Sequence, residues 1–189
     1  MNYTTLTPAA GEPVTAAELR QALRLADDET QHDAELAMLA QSAREVAEQE
    51  AGMWVMAQRV RLSLADWPTA PDGLKVARGP VRGVHEVSIW NGTDWTVLDA
   101  SLYVGEQNGT EFVLEPVNGW PSPADKPGSR VRVDLDVGWP DAASVPACVK
   151  RFILAQVVAW FDNPAAVQDQ RLAPHPHLSG LLDPVRTFA

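Results

Sequence analysis

RVRVDLDVGWPDAASVPACVKRFILAQVVAWF (Arg130–Phe161) changes its period in the middle, and that change decides the fold class. In the first part Val131, Val133, Leu135 and Val137 alternate with Arg130, Arg132, Asp134 and Asp136, the two-residue period of a strand with one apolar face. After Gly138-Trp139-Pro140 the period lengthens. Val149, Phe152, Ile153, Val157, Trp160 and Phe161 recur at three- and four-residue steps, a helix with a wide apolar face. Asp141 or Ser144 can cap it, Pro146 suits its first turn, and Asn163-Pro164 stops it.

Strand signals extend backward from this junction. Val60, Leu62 and Leu64 alternate with Arg59, Arg61 and Ser63, and Leu74 to Ala77 is a short apolar run closed by Gly79-Pro80. Val84, Val87 and Ile89 lead into Asn91-Gly92, a hairpin turn in which both residues tolerate positive φ. Trp95, Val97 and Tyr103-Val104 continue, and Asn108-Gly109 turns the chain into Phe112-Val113-Leu114. Six or seven strands joined by hairpins predict a mostly antiparallel sheet.

Ahead of the strands the period is helical. Thr15-Ala-Ala-Glu18 is a capping box, in which each side chain satisfies the other residue's free amide. It opens a helix ending near Leu25. A second helix runs from about His32 to Glu50, with Leu36, Leu39, Ala43, Val46 and Ala47 as its apolar stripe and Gly52 as a left-handed C-cap. Two helices cannot bury their stripes alone, so the third must complete them. The expectation is an α+β fold: a bundle of three main helices (1–52 and 141–167), an inserted antiparallel β-rich part (53–140) and an extended C-terminal arm (168–189).

Composition sets the limits on function. The chain has 189 residues, enough for a core without disulfide or metal staples, and Cys148 is its only cysteine. Lys and Arg number 15 against 25 Asp and Glu, a net charge of −10, which argues against gripping a phosphate backbone. No run approaches a membrane span, and Met1–Pro13 lacks the basic and apolar regions of a secretory signal, so a reducing cytoplasm is expected. The acids concentrate at the front: residues 1–52 carry ten against three bases.

Several local patterns could carry chemistry. His175-Pro-His177 could hold a metal only with a third ligand such as Asp169 or Asp183, and a polar stretch of the arm is the better reading of it. Asp27-Asp28-Glu29, with Asp33 and Glu35, lacks the glycine and spacing of a calcium loop and reads as an acidic turn favouring the next helix. Asp134 and Asp136 share a strand face and could serve as an acid/base pair, yet charges alternating on a solvent face need no function. Trp90 and Trp95 flank the Asn91-Gly92 turn and could stack on sugars in a carbohydrate- or protein-binding module, though packing explains them too. No nucleophile elbow, phosphate loop or cofactor motif occurs, so no enzyme is expected.

The order of phrases resembles the head–tail connector, or head-completion adaptor, proteins of tailed phages. The phrases are Pro13-Val-Thr-Ala-Ala-Glu-Leu19 with Leu23-Arg-Leu25 and Asp27-Asp28-Glu29, then LAQSAREVAEQEAG (Leu39–Gly52). RVRLSL (Arg59–Leu64) running to Trp67-Pro68, and Arg78-Gly-Pro-Val81, follow. Gly138-Trp139 to Val145-Pro146, Val149–Leu154, Trp160-Phe161-Asp-Asn163 and LLDPVR (Leu181–Arg186) complete the set, which covers about 13–186. The prolines of Leu172–Leu178 depart from the family's more helical approach to that ending.

The resemblance implies a structural, non-catalytic protein of a phage or gene-transfer particle, made in the host cytoplasm and placed at the virion's head–tail junction. It implies a ring of about a dozen copies under the portal protein, joined to a tail-side connector or stopper, with DNA passing through unbound. Two sets of residues take roles in that picture. Leu178, Leu181, Leu182 and Phe188 would form an arm ordering against a neighbour or the portal. Asp27, Asp28, Glu29 and Asp33 would give an acidic channel surface that repels DNA. No cofactor, metal or membrane partner is implied.

Overall fold

The computed structural model describes residues 2–68, 73–108, 111–162 and 178–186. The chain forms two compact units: a β unit (1–10, 57–138 and 187–189) and a helical unit (11–56 and 139–186). The fold is α+β, and the helical unit is interrupted in sequence by the β-rich part as the period change predicts.

The helical unit holds α1 (Ala16–Leu23), α2 (Asp33–Ala51) and α3 (Ala147–Asp162). The capping box forms at α1: Thr15 Oγ1 accepts from the Glu18 amide at 3.2 Å, and Glu18 Oε2 accepts from the Thr15 amide at 2.7 Å. These bonds, backbone first, hold the Glu18 carboxyl below its ordinary value. Gly52 ends α2 at φ 64°, the left-handed cap its position predicts.

Core positions on α3 match the expected stripe: Val149, Phe152, Ile153, Val157 and Trp160 are buried. On α2 the buried face is rotated from the expectation. Leu36, Ala40, Ala43, Arg44, Ala47, Glu48 and Ala51 point inward, whereas Leu39 and Val46 are half-buried. The small alanines let neighbouring helices approach closely, and Arg44 and Glu48 enter the interior because they satisfy each other (3.1 Å).

Two antiparallel sheets make the β unit. The larger has the order β1 (Asn2–Thr7), β2 (Gln58–Leu64), β8 (Val131–Val137), β4 (Val81–Trp90), β5 (Trp95–Val97). The smaller has the order β3 (Leu74–Val76), β7 (Glu111–Pro116), β6 (Tyr103–Asn108). Register in the larger sheet puts Val60, Leu135 and Val84 in one row and Leu62, Val133 and Val87 in the next. Of these six residues five are buried and Val84 is half-buried, so one face is apolar throughout.

Strand β1 is not anticipated from the sequence, which places residues 1–52 with the helices. Asn-Tyr-Thr-Thr-Leu-Thr lacks apolar alternation because it forms an edge, with only Tyr3 turned partly inward opposite Leu62. The C-terminal stretch expected to be an arm is described only for 178–186. There Ser179–Val185 form a 3-10 helix that packs on α2 and α3, with Leu182 fully buried.

Candidate functional site

The charged face of the larger sheet is the first candidate. β2 and β8 place Arg59 opposite Asp136 and Arg61 opposite Asp134. Arg61 donates from Nε and Nη2 to the two oxygens of Asp134, each at 2.7 Å, and Arg59 Nε donates to Asp136 at 2.9 Å. The Asp134 hydrogen bonds raise the Arg61 guanidinium above its ordinary value, against the opposing pull of burial. Asp134 is 5% exposed, so the strand face is not the open solvent face its alternating charges predict. Arg61 engages both oxygens of buried Asp134, and Arg59 engages one oxygen of Asp136. These are cross-strand ties.

The aromatic candidates are covered in the same way. Trp90 and Trp95 meet edge to face at 5.9 Å across the hairpin. Lys126 Nζ lies 4.2 and 4.3 Å from the two ring centroids, and the Arg132 guanidinium carbon 3.7 Å from that of Trp95. The cations occupy the ring surfaces a sugar would stack on, which disfavours the carbohydrate-module reading. Trp67 and Trp120 stack at 3.8 Å and 7°, with Trp67 Nε1 donating to the Pro121 carbonyl at 3.0 Å.

The acidic turn divides. Asp27 and Asp28 are exposed, Glu29 accepts from the Ala26 amide at 2.9 Å, and Asp33 is held by Arg20 Nη1 (2.7 Å to one oxygen). Asp33 is therefore neutralised by a partner that sequence reading missed, since Arg20 lies thirteen residues away on α1. The negative charge of this turn resides in Asp27, Asp28 and Glu29, none of which has a cation partner among the described residues.

The proposed arm residues also divide. Leu182 is spent on the helical unit's own core, and Leu178 and Leu181 are half-buried. Phe188, His175, His177 and Asp169 lie outside the described residues. Asp183 is paired with Arg186 at 3.0 Å. Among the described residues no three His, Cys, Asp or Glu side chains gather as a metal site. No helix among them is long and apolar enough to cross a membrane.

What the described surface offers is apolar. Leu102, Val104 and Val117 are 41%, 58% and 53% exposed, and the Val117 amide donates to the Leu102 carbonyl at 2.9 Å, continuing the β6–β7 ladder. No motif marks this patch in the sequence, because exposure of a valine depends on which sheet face the fold leaves uncovered.

No family model and no curated protein matches the chain. Solved structures do. The chain is similar to a chain in the neck of an empty gene transfer agent particle computed with C6 symmetry, at a TM-score of 0.82 and 19% identity. It is likewise similar to a chain of the virion of a native gene transfer agent particle (TM-score 0.79) and of its neck computed with C12 symmetry (0.72), both at 19% identity. Each match covers 100% of this chain and 97% of the other. From end to end, the chain has the fold of a gene transfer agent neck protein.

Proposed function

We propose that this protein is a structural head–tail neck protein of a tailed phage or gene-transfer particle. It forms a ring below the portal, extends the DNA channel and joins head to tail. The observation that carries this reading is the full-length fold match to a particle neck chain, with both units included. The phrase order of the sequence, an independent feature, points the same way. Symmetries of C6 and C12 in the neighbours' necks support a ring of copies, which the resemblance sets at about a dozen.

The site chemistry is consistent with a scaffold. Carboxylates that could catalyse are tied to arginines, and the aromatic pair that could bind sugar is capped by cations. Exposed Asp27 and Asp28 supply like-charge repulsion toward passing DNA, and the net charge of −10 reinforces it. The portal and a tail-side protein are the partners above and below the ring, and Leu178, Leu181 and Phe188 are the arm positions left for the portal.

Gold-labelled antibody on purified particles tests this. The reading expects one cluster of label at each head–tail junction. Label spread over the capsid, or particles that contain none of the protein, would overturn it.

A further inference from the structure

The β unit leaves two long strand edges open. Each sheet ends on one short and one long strand: the larger on β5, of three residues, and β1, of six; the smaller on β3, of three, and β6, of six. Among the described residues no strand lies beyond β1 or β6. An edge strand turns alternate amides and carbonyls outward, and sheets blunt such edges with shortness, lysine, proline or a bulge. Shortness blunts β5 and β3. Neither β1 nor β6 holds a Lys, Arg or Pro, and the bulge between Thr5 and Thr7 touches only the end of β1.

Side chains along these two edges are open as well. Every residue of β6 from Val104 to Asn108 is exposed, Val104 at 58%, and on β1 only Tyr3 is half-buried, with Leu6 40% exposed. The Phe112 ring lies against Gly105, where a Cβ would have no room, so β6 is held firmly on its own sheet as a template. The two edges differ in charge. β1 carries no carboxylate and no cation, whereas β6 contributes Glu106, with Glu111 and Glu115 of β7 on the same face by register and alternation.

Resting on the ring reading, we propose that β1 of one copy adds as a further strand to the β6 edge of the next. Main-chain hydrogen bonds across the joint satisfy both edges, and the threonines and Leu6 of β1 bring apolar surface beside Val104. Charge and symmetry choose this pairing over its alternatives. Pairing β6 with β6 about a two-fold axis would gather the Glu106, Glu111 and Glu115 carboxylates of two copies on one face, a like-charge cost. Pairing β1 with β1 avoids that cost but leaves every β6 open and ends at a dimer. Pairing β1 with β6 sets no charge against its like, and because the edges differ the contact is heterologous, the class from which rings are built. Both edges belong to one compact unit, so the β unit makes the contact alone. Repeated from copy to copy, it covers both open edges; a partner of another kind would cover one and leave the other.

Cross-linking with a short bis-maleimide, on chains carrying Cys148→Ala and mixed with purified portal, reads the joint. Thr4 and Val104 are exposed, so Thr4→Cys and Val104→Cys should keep the fold, which the far-UV spectrum checks. An equal mixture of the two single variants is expected to give covalent dimers, and each variant alone only monomers. The chain carrying both substitutions is expected to give a ladder of multimers. Val104→Lys, which puts a cation on the open edge, is expected to sediment as single chains under conditions where wild type forms a ring. Dimers from either cysteine variant alone, a mixture that stays monomeric while its chains sediment as a ring, or a ring that survives Val104→Lys would overturn this contact and leave the ring reading standing. Wild-type protein that stays as single chains even with portal would overturn both.

Discussion

Replacing Arg44 by Met should cost the helical unit about 3 kcal/mol. The guanidinium donates Nε to Glu12 at 2.8 Å and Nη1 to Glu48 at 3.1 Å, and Glu48 Oε1 also accepts the buried Val55 amide at 2.9 Å. Side-chain exposures are 9% for Arg44, 11% for Glu48 and 24% for Glu12, so Glu48 cannot turn to water and Glu12 can. Burial pulls the arginine's proton affinity down, but the bonds to both glutamates more than offset it, and its pKa is raised. Removing one partner of a buried pair costs about 3–5 kcal/mol, because a charge is left stranded. The lower end applies here, since Glu48 keeps the Val55 amide and Glu12 can hydrate. Glu48→Gln retains an acceptor for Val55 and should cost only about 1–2 kcal/mol.

Urea unfolding followed at the helical circular-dichroism band is the assay. With a slope of about 1–3 kcal/mol/M, a 3 kcal/mol loss moves the midpoint down by about 1–3 M. The double variant Arg44→Met/Glu48→Leu leaves no buried charge stranded at this pair and should recover part of the loss. If Arg44→Met cost less than about 1 kcal/mol, the value of an exposed pair, the buried-network reasoning would be refuted.

Three further outcomes follow from local geometry. A Cβ built on Gly105 runs into the ring of buried Phe112, so Gly105→Ala should destabilise the β unit by about 1–3 kcal/mol, read as a lower melting temperature. Thr15→Ala removes the α1 cap and should cost about 1 kcal/mol at neutral pH. Because the Glu18 pKa is lowered from 4.5, the cap's contribution is present above that value and is lost as pH falls through the lower folded value. The wild-type and Thr15→Ala curves should therefore converge in urea titrations toward acid pH. Gln156 is fully buried on α3 with neither amide atom hydrogen-bonded, so Gln156→Leu should stabilise the helical unit by about 1–3 kcal/mol, measured by the same urea midpoint.

Strong periodicity made most of the fold legible. The alternation of Val131 to Val137, the Asn91-Gly92 turn and the α3 stripe each specify one local structure, and all three appear where expected. Edge and interior exceptions escaped for stated reasons. Strand β1 is an edge with no buried row to impose alternation, and Arg44 and Glu48 look like a solvent face until their mutual pairing is seen. The apolar character of Leu178, Leu181 and Leu182 was readable, but not that Leu182 packs on the chain's own helices, since apolarity does not name its partner. For the candidate site, the sequence supplied the carboxylates and tryptophans. It could not supply Arg61, Lys126 and Arg132 lying across them, because those pairings depend on strand register.

The proposed ring assembles on the portal. Light scattering after gel filtration of this protein mixed with purified portal measures it most directly. The expected complex is heavier than the portal by about a dozen chains of 20.5 kDa. A portal peak of unchanged mass across salt and protein concentration, with this protein eluting separately, would contradict it.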